Sequence, residues 1–372
     1  MLIECHLSVP VVKTPRLLQL FGLFDVPPTE RSEHKLRVEL PIEGFPWNIG
    51  LVVGPSGSGK STLARQAFGA NLVTGFEWPE DKSLVDGFPK EMGIKEITGL
   101  LSSVGFSSPP SWLRPFRVLS NGEMFRATIA RAMAESPDLA VIDEFTSVVD
   151  RTVAQIGSAA VAKSVRRAGR KLIAVSCHAD IAEWLDPDWI CEMPSGTFTR
   201  RLLRRRPAIE LEIVRVDKAA WSLFAAHHYL NTSLHVAAKC FVALVMGRPA
   251  AFASALHSTG GSGSYWREHR TVCLPDFQGV GIGNALSEFV GSLMICTGKR
   301  YMSTTGNPAM IAHRSKSPLW KMKRKPGLVR NDVVKTEQAS SYAVTRATNR
   351  YTAGFEYIGP SRREEAKRLG VI

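Results

Sequence analysis

Gly54-Pro55-Ser56-Gly57-Ser58-Gly59-Lys60-Ser61-Thr62 sets the reading of the first half of the chain. The string fits G-x-x-x-x-G-K-[ST] and follows Ile49 to Val53, an apolar run that reads as a short buried strand. Its glycines let the backbone curl until consecutive N–H groups point inward, and the helix expected next adds its positive end. Lys60 is expected to reach the β- and γ-phosphates of a nucleotide, and the Ser61 hydroxyl to ligate Mg²⁺.

Some 80 residues beyond this loop, Leu139-Ala140-Val141-Ile142-Asp143-Glu144 reads as an apolar strand that delivers two adjacent carboxylates. Asp143 is expected to hold the magnesium through water, and Glu144 to orient and polarise an attacking water. Leu172 to Val175 reads as a third strand. Apolar runs alternate with helical stretches through the first 190 residues, which predicts an α/β domain with a largely parallel sheet.

Outside that block, composition narrows the possibilities. A chain of 372 residues asks for two domains or three. With 44% hydrophobic and 22% charged residues it can bury real cores and is not a disordered chain. The longest apolar stretch, Cys240 to Met246, is too short to span a bilayer, so no membrane association is expected. Met1 to Pro10 lacks the basic start and small-residue cleavage site of a signal peptide. Six cysteines are scattered without a C-x-x-C pair, which fits a reducing cytoplasm with no disulfide framework and no thiolate metal site. Charge is lopsided: residues 1–205 hold 24 basic against 23 acidic side chains, whereas residues 206–372 hold 23 against 11. A one-sided basic half points to a polyanionic partner, nucleic acid first, with a plain solvated surface as the alternative. The run Arg200 to Pro207 marks a boundary, giving domains at 1–205 and 206–345 and a C-terminal extension at 346–372.

Further strings around the loop point to one family. Leu119-Ser120-Asn121-Gly122-Glu123 precedes a helical run, Ser147-Val148-Val149-Asp150 follows the carboxylates, and His178 ends the third strand. Over roughly residues 15–200 the chain resembles the ATP-binding cassette ATPases. The resemblance implies that Gly54 to Thr62 binds ATP, and that Ser120, Asn121, Gly122 and Glu123 act as the signature, across a homodimer, on the partner's nucleotide. It also implies that Asp150 belongs to the loop after the second carboxylate and that His178 contacts the γ-phosphate. Asn121 and Glu123 replace the family's glycine and glutamine. No glutamine lies between Gln66 and the signature, so the residue that couples such cassettes to a channel is missing, and a transporter subunit is not expected. Phe21, Phe24 and Trp47 are candidates for stacking on adenine.

In the second half, Ile209–Val214, Cys240–Val245 and Ala250–Ala255 read as strands. Thr271 to Phe277 reads as a strand running into Gln278-Gly279-Val280-Gly281-Ile282-Gly283-Asn284 and a long helix that opens at Gly281. Amides of Gly279, Gly281 and Gly283 at a helix N-terminus can cradle a pyrophosphate. The stretch is similar to the acyl-coenzyme A loop of the GNAT N-acyltransferases, an α+β fold. The resemblance implies a strand amide near Cys273 or Leu274 that polarises the thioester. The tyrosine expected as general acid is absent and Arg314 stands about in its place, leaving Tyr301, His313 or another group for that role. His228-Tyr229 together with Pro275 to Gly283 resembles the phage Mom-type acyltransferases, which modify DNA bases. His227 and His228 can equally close an amphipathic helix, and with His235 they are a candidate metal set. Trp320-Lys321-Met322-Lys323-Arg324-Lys325 alternates an aromatic with cations, as a single strand or an extruded base would use. The expectation is a P-loop cassette ATPase with ATP and Mg²⁺, followed by an acyl-coenzyme A-dependent unit acting on DNA or, next, tRNA. Its rival is an ATP-gated nucleic-acid clamp with a degenerate second domain.

Overall fold

The computed structural model describes residues 1–24, 27, 29–201, 207–228, 233–260, 263–328 and 351–372. It divides into two units: Met1–Trp78 with Phe88–Met92 and Met124–Pro207, and Pro79–Gly87 with Gly93–Glu123 and Ala208–Ile372. Among the described residues no helix is long and apolar enough to cross a membrane. Part of the boundary run, residues 202–206, and Tyr229 lie outside the described residues.

In the first unit β1 (Leu2–Pro10) and β2 (Arg31–Glu39) form an antiparallel ribbon. A second sheet is built from β3 (Ile49–Val53), β4 (Leu72–Val73), β5 (Leu139–Ile142), β6 (Lys171–Ser176), β7 (Trp189–Glu192) and β8 (Thr197–Arg200). Their spatial order is β4-β5-β6-β3-β7-β8, parallel throughout except that β8 returns antiparallel to β7. Every residue of β3 is buried, as expected of a central strand covered on both faces. Asp188 anchors the lower end of β3 by accepting the N–H groups of Asn48 and Ile49 at 2.7 and 2.8 Å, with Arg166 Nη1 3.0 Å away. The helices Lys60–Phe68 and Arg151–Arg167 belong to this unit. Gly157 on the latter is forced by close approach: a Cβ there would stand 2.8 Å from the Phe125 ring.

The second unit carries a seven-stranded sheet. Its strands are β9 (Glu212–Val216), β10 (Lys239–Val245), β11 (Arg248–Gly260), β12 (Gly263–Cys273), β13 (Tyr301–Thr305), β14 (Trp320–Leu328) and β15 (Tyr351–Tyr357), in the order β14-β15-β13-β12-β11-β10-β9. All pairings are antiparallel except β12 with β13, which run parallel and meet only at Trp266–Tyr301 and Arg267–Met302. The helix Ile282–Met294 makes the crossover between them and buries Ile282, Leu286, Val290 and Leu293. Residues read from sequence as a C-terminal extension supply β15 to the inside of this sheet and the helix Arg363–Arg368 after it. Trp320, expected to offer its face to a base, is instead buried, edge-on to Tyr357 at 5.4 Å and under the guanidinium of Arg314 at 4.2 Å.

Candidate active sites

The loop Gly54 to Gly59 turns from β3 into the helix Lys60–Phe68. Gly57 and Gly59 hold φ of 76° and 89°, in the left-handed region where a side chain is strained. At Gly54 the demand is steric, because a Cβ would stand 2.3 Å from the Met193 carbonyl oxygen. Pro55 and Ser56 are exposed and the Ser58 hydroxyl is buried without a hydrogen-bond partner. Lys60 Nζ donates to the Pro55 carbonyl at 2.7 Å, which folds its ammonium back over the loop.

Asp143 and Glu144 directly follow the end of β5. Together with Ser56, Gly57, Gly59, Lys60, Ser61 and Thr62 they line one cavity of about 360 Å³. The carboxylates and the loop that sequence reading paired are thus brought together. Glu144 is exposed and sits at φ 52°, with its N–H bonded to Asp143 Oδ1 at 2.9 Å. Ser147, the first residue of the loop that leads to Asp150, also lines the cavity, as do Ser176 and Cys177, which were missed and whose only signal is that they precede His178.

His178 ends the turn after β6 with its N–H on Ser176 Oγ at 3.1 Å, and its Nδ1 is buried without a hydrogen-bond partner. Asp150 caps the helix Arg151–Arg167, accepting the N–H groups of Thr152 and Val153 at 3.0 and 3.1 Å. The hydrogen bond from Arg151 holds the Asp180 carboxyl below the usual carboxylate range. Curled glycines, an inward lysine and a hydroxyl-carboxylate pair suit a nucleotide triphosphate with Mg²⁺. Of the adenine candidates, Trp47 is unsuitable: it is a core residue, its Nε1 donating to the Ile42 carbonyl at 3.0 Å and its ring edge-on to Trp189. Phe24 is exposed and Phe21 half-buried.

The signature residues, Ser120 to Glu123, lie in the second unit and form a capping box at the start of the helix Asn121–Glu135. Glu123 Oε2 accepts the Ser120 N–H at 3.0 Å, and the Glu123 N–H donates to Ser120 Oγ at 3.3 Å. Glu123 is buried and also receives the Ser111 hydroxyl at 2.6 Å, so its carboxylate is occupied inside its own chain. Ser120 and Asn121 remain exposed, whereas Gly122 is buried. The S-x-x-E spacing was the signal for this role.

In the glycine-rich loop, Gly279 and Gly281 hold φ of 89° and 102°, and Gly281 caps the helix Ile282–Met294. Gly283 faces Cys273, 3.6 Å from where its Cβ would be, and Val280 and Asn284 are half-buried. Gln278 points away from solvent duties: Oε1 accepts the Ser107 N–H at 2.6 Å and Nε2 donates to the Cys273 carbonyl at 2.8 Å. The Leu274 N–H, one candidate for polarising a thioester, is bonded to the Ala250 carbonyl at 2.9 Å.

The proton-transfer candidates are not gathered at that loop. Tyr301 is fully buried, and burial pushes its phenol well above its ordinary value. His313 Nε2 stands 2.9 Å from Glu288 Oε1. Arg314 is buried and committed to Glu268, with Nη1–Oε2 at 3.0 Å and Nη2–Oε1 at 3.2 Å. Burial alone would raise Glu268, but Arg314 and the Ser303 and Thr271 hydroxyls override it and hold the carboxyl at about 2. His228 is buried edge-on to Trp221 at 5.6 Å. Among the described residues no three or more His, Cys, Asp or Glu side chains are grouped to hold a metal ion, so His227, His228 and His235 do not form the expected set. His269, half-buried and beside Arg270 and Arg267, is pushed down to about 3 by desolvation and those charges and stays neutral, accepting the His235 N–H at 3.2 Å.

No family model matches the chain. Zinc import ATP-binding protein ZnuC 1 of Aliivibrio fischeri is 30% identical over 148 residues, covering 35% of this chain and 57% of that protein. ZnuC of Histophilus somni is 33% identical over 132 residues, covering 29% and 48%. The chain thus spans about half the length of these relatives. Among solved structures, a dimeric post-hydrolysis state of the ATP-binding cassette MJ0796 bound to ADP and phosphate is similar at 16% identity and a TM-score of 0.37, covering 48% of this chain and 95% of that one. An Atm1-family bacterial exporter with ATP bound gives 17% identity, a TM-score of 0.33, and coverage of 45% and 34%. Over about a third of its length this chain is similar in sequence to these zinc import ATP-binding proteins.

Proposed function

We propose that the first unit is a Mg²⁺-dependent ATPase that works as a homodimer, and that it drives a second unit acting on nucleic acid. The observation that carries this is the single cavity in which Gly57, Gly59, Lys60 and Ser61 face Asp143 and Glu144. Mg²⁺ would be held by Ser61 and Asp143 and would offset the charge that builds on the phosphates. Glu144 orients the attacking water and takes its proton; His178 meets the terminal phosphate; Ser120 and Asn121 close the partner's site. Homology to the zinc-import cassettes supports the ATPase chemistry. The zinc-import relatives favour a transport role for this ATPase, against the expectation drawn from the glutamine-free stretch 67–118.

For the second unit, acyl-coenzyme A-dependent N-acyl transfer to a base of DNA, or next of tRNA, is the reading we favour. It is supported by left-handed Gly279 and Gly281 at a helix N-terminus and by the parting of β12 from β13 beyond Arg267. The basic excess of residues 206–372 supports a nucleic-acid partner. A second reading, an ATP-gated clamp without acyl transfer, is favoured by the engaged Leu274 N–H and the buried Tyr301 and Arg314.

Lys60→Ala should lose ATP binding, whereas Glu144→Gln should retain ATP, stall hydrolysis and accumulate dimers. Equal hydrolysis by wild type and Glu144→Gln overturns the assignment. Mass spectrometry of nucleosides from cells with and without the protein separates the two readings: an added acyl mass supports transfer, and unchanged nucleosides support the clamp.

A further inference from the structure

Ser107 and the signature lie in one segment, Gly93–Glu123, of the second unit. A set of bonds, buried at Ser108, Ser111 and Glu123 and part-buried at its two ends, runs from there to the glycine-rich loop. Ser120 N–H is held by Glu123 Oε2 at 3.0 Å, and Glu123 Oε1 receives the Ser111 hydroxyl at 2.6 Å. Ser111 Oγ lies 3.2 Å from Ser108 Oγ, and Ser108, Ser111 and Glu123 are all buried. Beside Ser108, the Ser107 N–H is bound by Gln278, whose other end holds the Cys273 carbonyl at the close of β12. Trp112 Nε1 ties the same turn together through the Phe106 carbonyl at 3.2 Å, and Phe106 is fully buried.

We propose that Glu123 and Gln278 are positioning residues that carry the state of the signature serine to the glycine-rich loop of the second unit. The physical reason is close packing. A turn whose polar groups are satisfied in a buried setting cannot absorb a displacement of Ser120 locally without leaving one of them unpaired. The displacement is therefore passed to the next fixed point, which is Gln278. The sequence-level reading of Gln278 as a ligand-loop residue and of Glu123 as a nucleotide-facing one gives way to a shared role, in which each side chain holds two parts of its own chain. The inference rests on the ATP-sandwich reading, because it is the partner's nucleotide that would move Ser120.

Hydrogen exchange on the full chain, in the Glu144→Gln background with and without Mg²⁺ and ATP, tests it. ATP should slow exchange across residues 54–62 and, by about fivefold or more, across residues 274–281. Gln278→Leu keeps the side chain's bulk without its bonds, and should lose the slowing at 274–281 while keeping it at 54–62. Glu123→Gln retains an acceptor for the Ser120 N–H and should behave as the parent; Glu123→Ala should uncouple. This pair answers the question even if Gln278→Leu does not fold. Slowing at 54–62 with none at 274–281, or undiminished slowing there in Gln278→Leu or Glu123→Ala, overturns the inference. No slowing at 54–62 overturns the nucleotide reading itself and this inference with it.

Discussion

Arg151 Nε donates to Asp180 Oδ2 at 3.1 Å, joining the residue after Asp150 to the turn that follows His178. Ser147 and Cys177, which line the cavity, lie on the two loops that lead to Asp150 and His178, so this ion pair fixes the spacing of those loops. Both side chains are well exposed, and such pairs contribute about 0.2–1 kcal/mol at most. Arg151→Ala should therefore leave thermal stability nearly unchanged while lowering kcat, by roughly ten- to a hundredfold if positioning matters as it does in other active sites. Melting and steady-state hydrolysis measured on the same samples decide it. A kcat equal to wild type would show that the pair is merely superficial.

Glu268 and Arg314 should behave in the opposite way, as a buried pair whose loss unfolds. Glu268→Gln leaves the Arg314 charge buried without its counter-ion and should cost about 3–5 kcal/mol. In a unit of this size that lowers the melting temperature by on the order of 10 °C. The pH dependence follows from the same pair. Glu268 is held at about 2 against an ordinary 4.5, so its contribution is complete above pH 4.5 and fades as pH falls toward 2. Wild type should lose stability through that window, and Glu268→Gln should show a flatter acid limb. Parallel acid limbs would contradict this.

Binding of coenzyme A or an acyl-coenzyme A at Gly279 to Asn284 should raise the unfolding free energy of the full chain by about 2.7 kcal/mol at a hundredfold excess over Kd. Gly281→Asp should abolish the effect. Aspartate tolerates the left-handed backbone of that position better than most residues, but it sets an anion where the pyrophosphate charge must sit. Protection of wild type by neither compound would favour the clamp.

How much of this was legible depended on where each element's partners lie in the sequence. The strands Ile49–Val53 and Leu139–Ile142 were readable to the residue, because strands covered on both faces leave continuous apolar runs. β12 was not. Its Arg267-Glu268-His269-Arg270 stretch reads as polar loop, and the counter-ion of Glu268 is Arg314, 46 residues away. The strand was accordingly placed at Thr271–Phe277, where the chain actually turns at Pro275–Phe277. The inner place of β15 was likewise hidden, since a terminal segment gives no sign that it will insert between two earlier strands. In the site, Lys60, Asp143 and Glu144 were found because motif and strand end coincide, whereas Glu123 was read as a nucleotide residue although its S-x-x-E spacing marks a helix cap. Trp320 was misjudged because sequence shows its cationic neighbours and not the Tyr357 ring it packs on.

The central claim, that two copies of this chain build composite ATP sites, is tested most directly by complementation. Ser120→Arg places a bulky cation at the exposed signature serine, and Lys60→Ala removes the phosphate-binding ammonium; each alone should hydrolyse no ATP. Mixed in equal amounts, they form heterodimers in which one site has an intact loop from one chain and an intact signature from the other. The mixture should recover hydrolysis, approaching half the wild-type rate in each heterodimer, as measured by phosphate release. A mixture that forms heterodimers and still releases no phosphate would contradict the account.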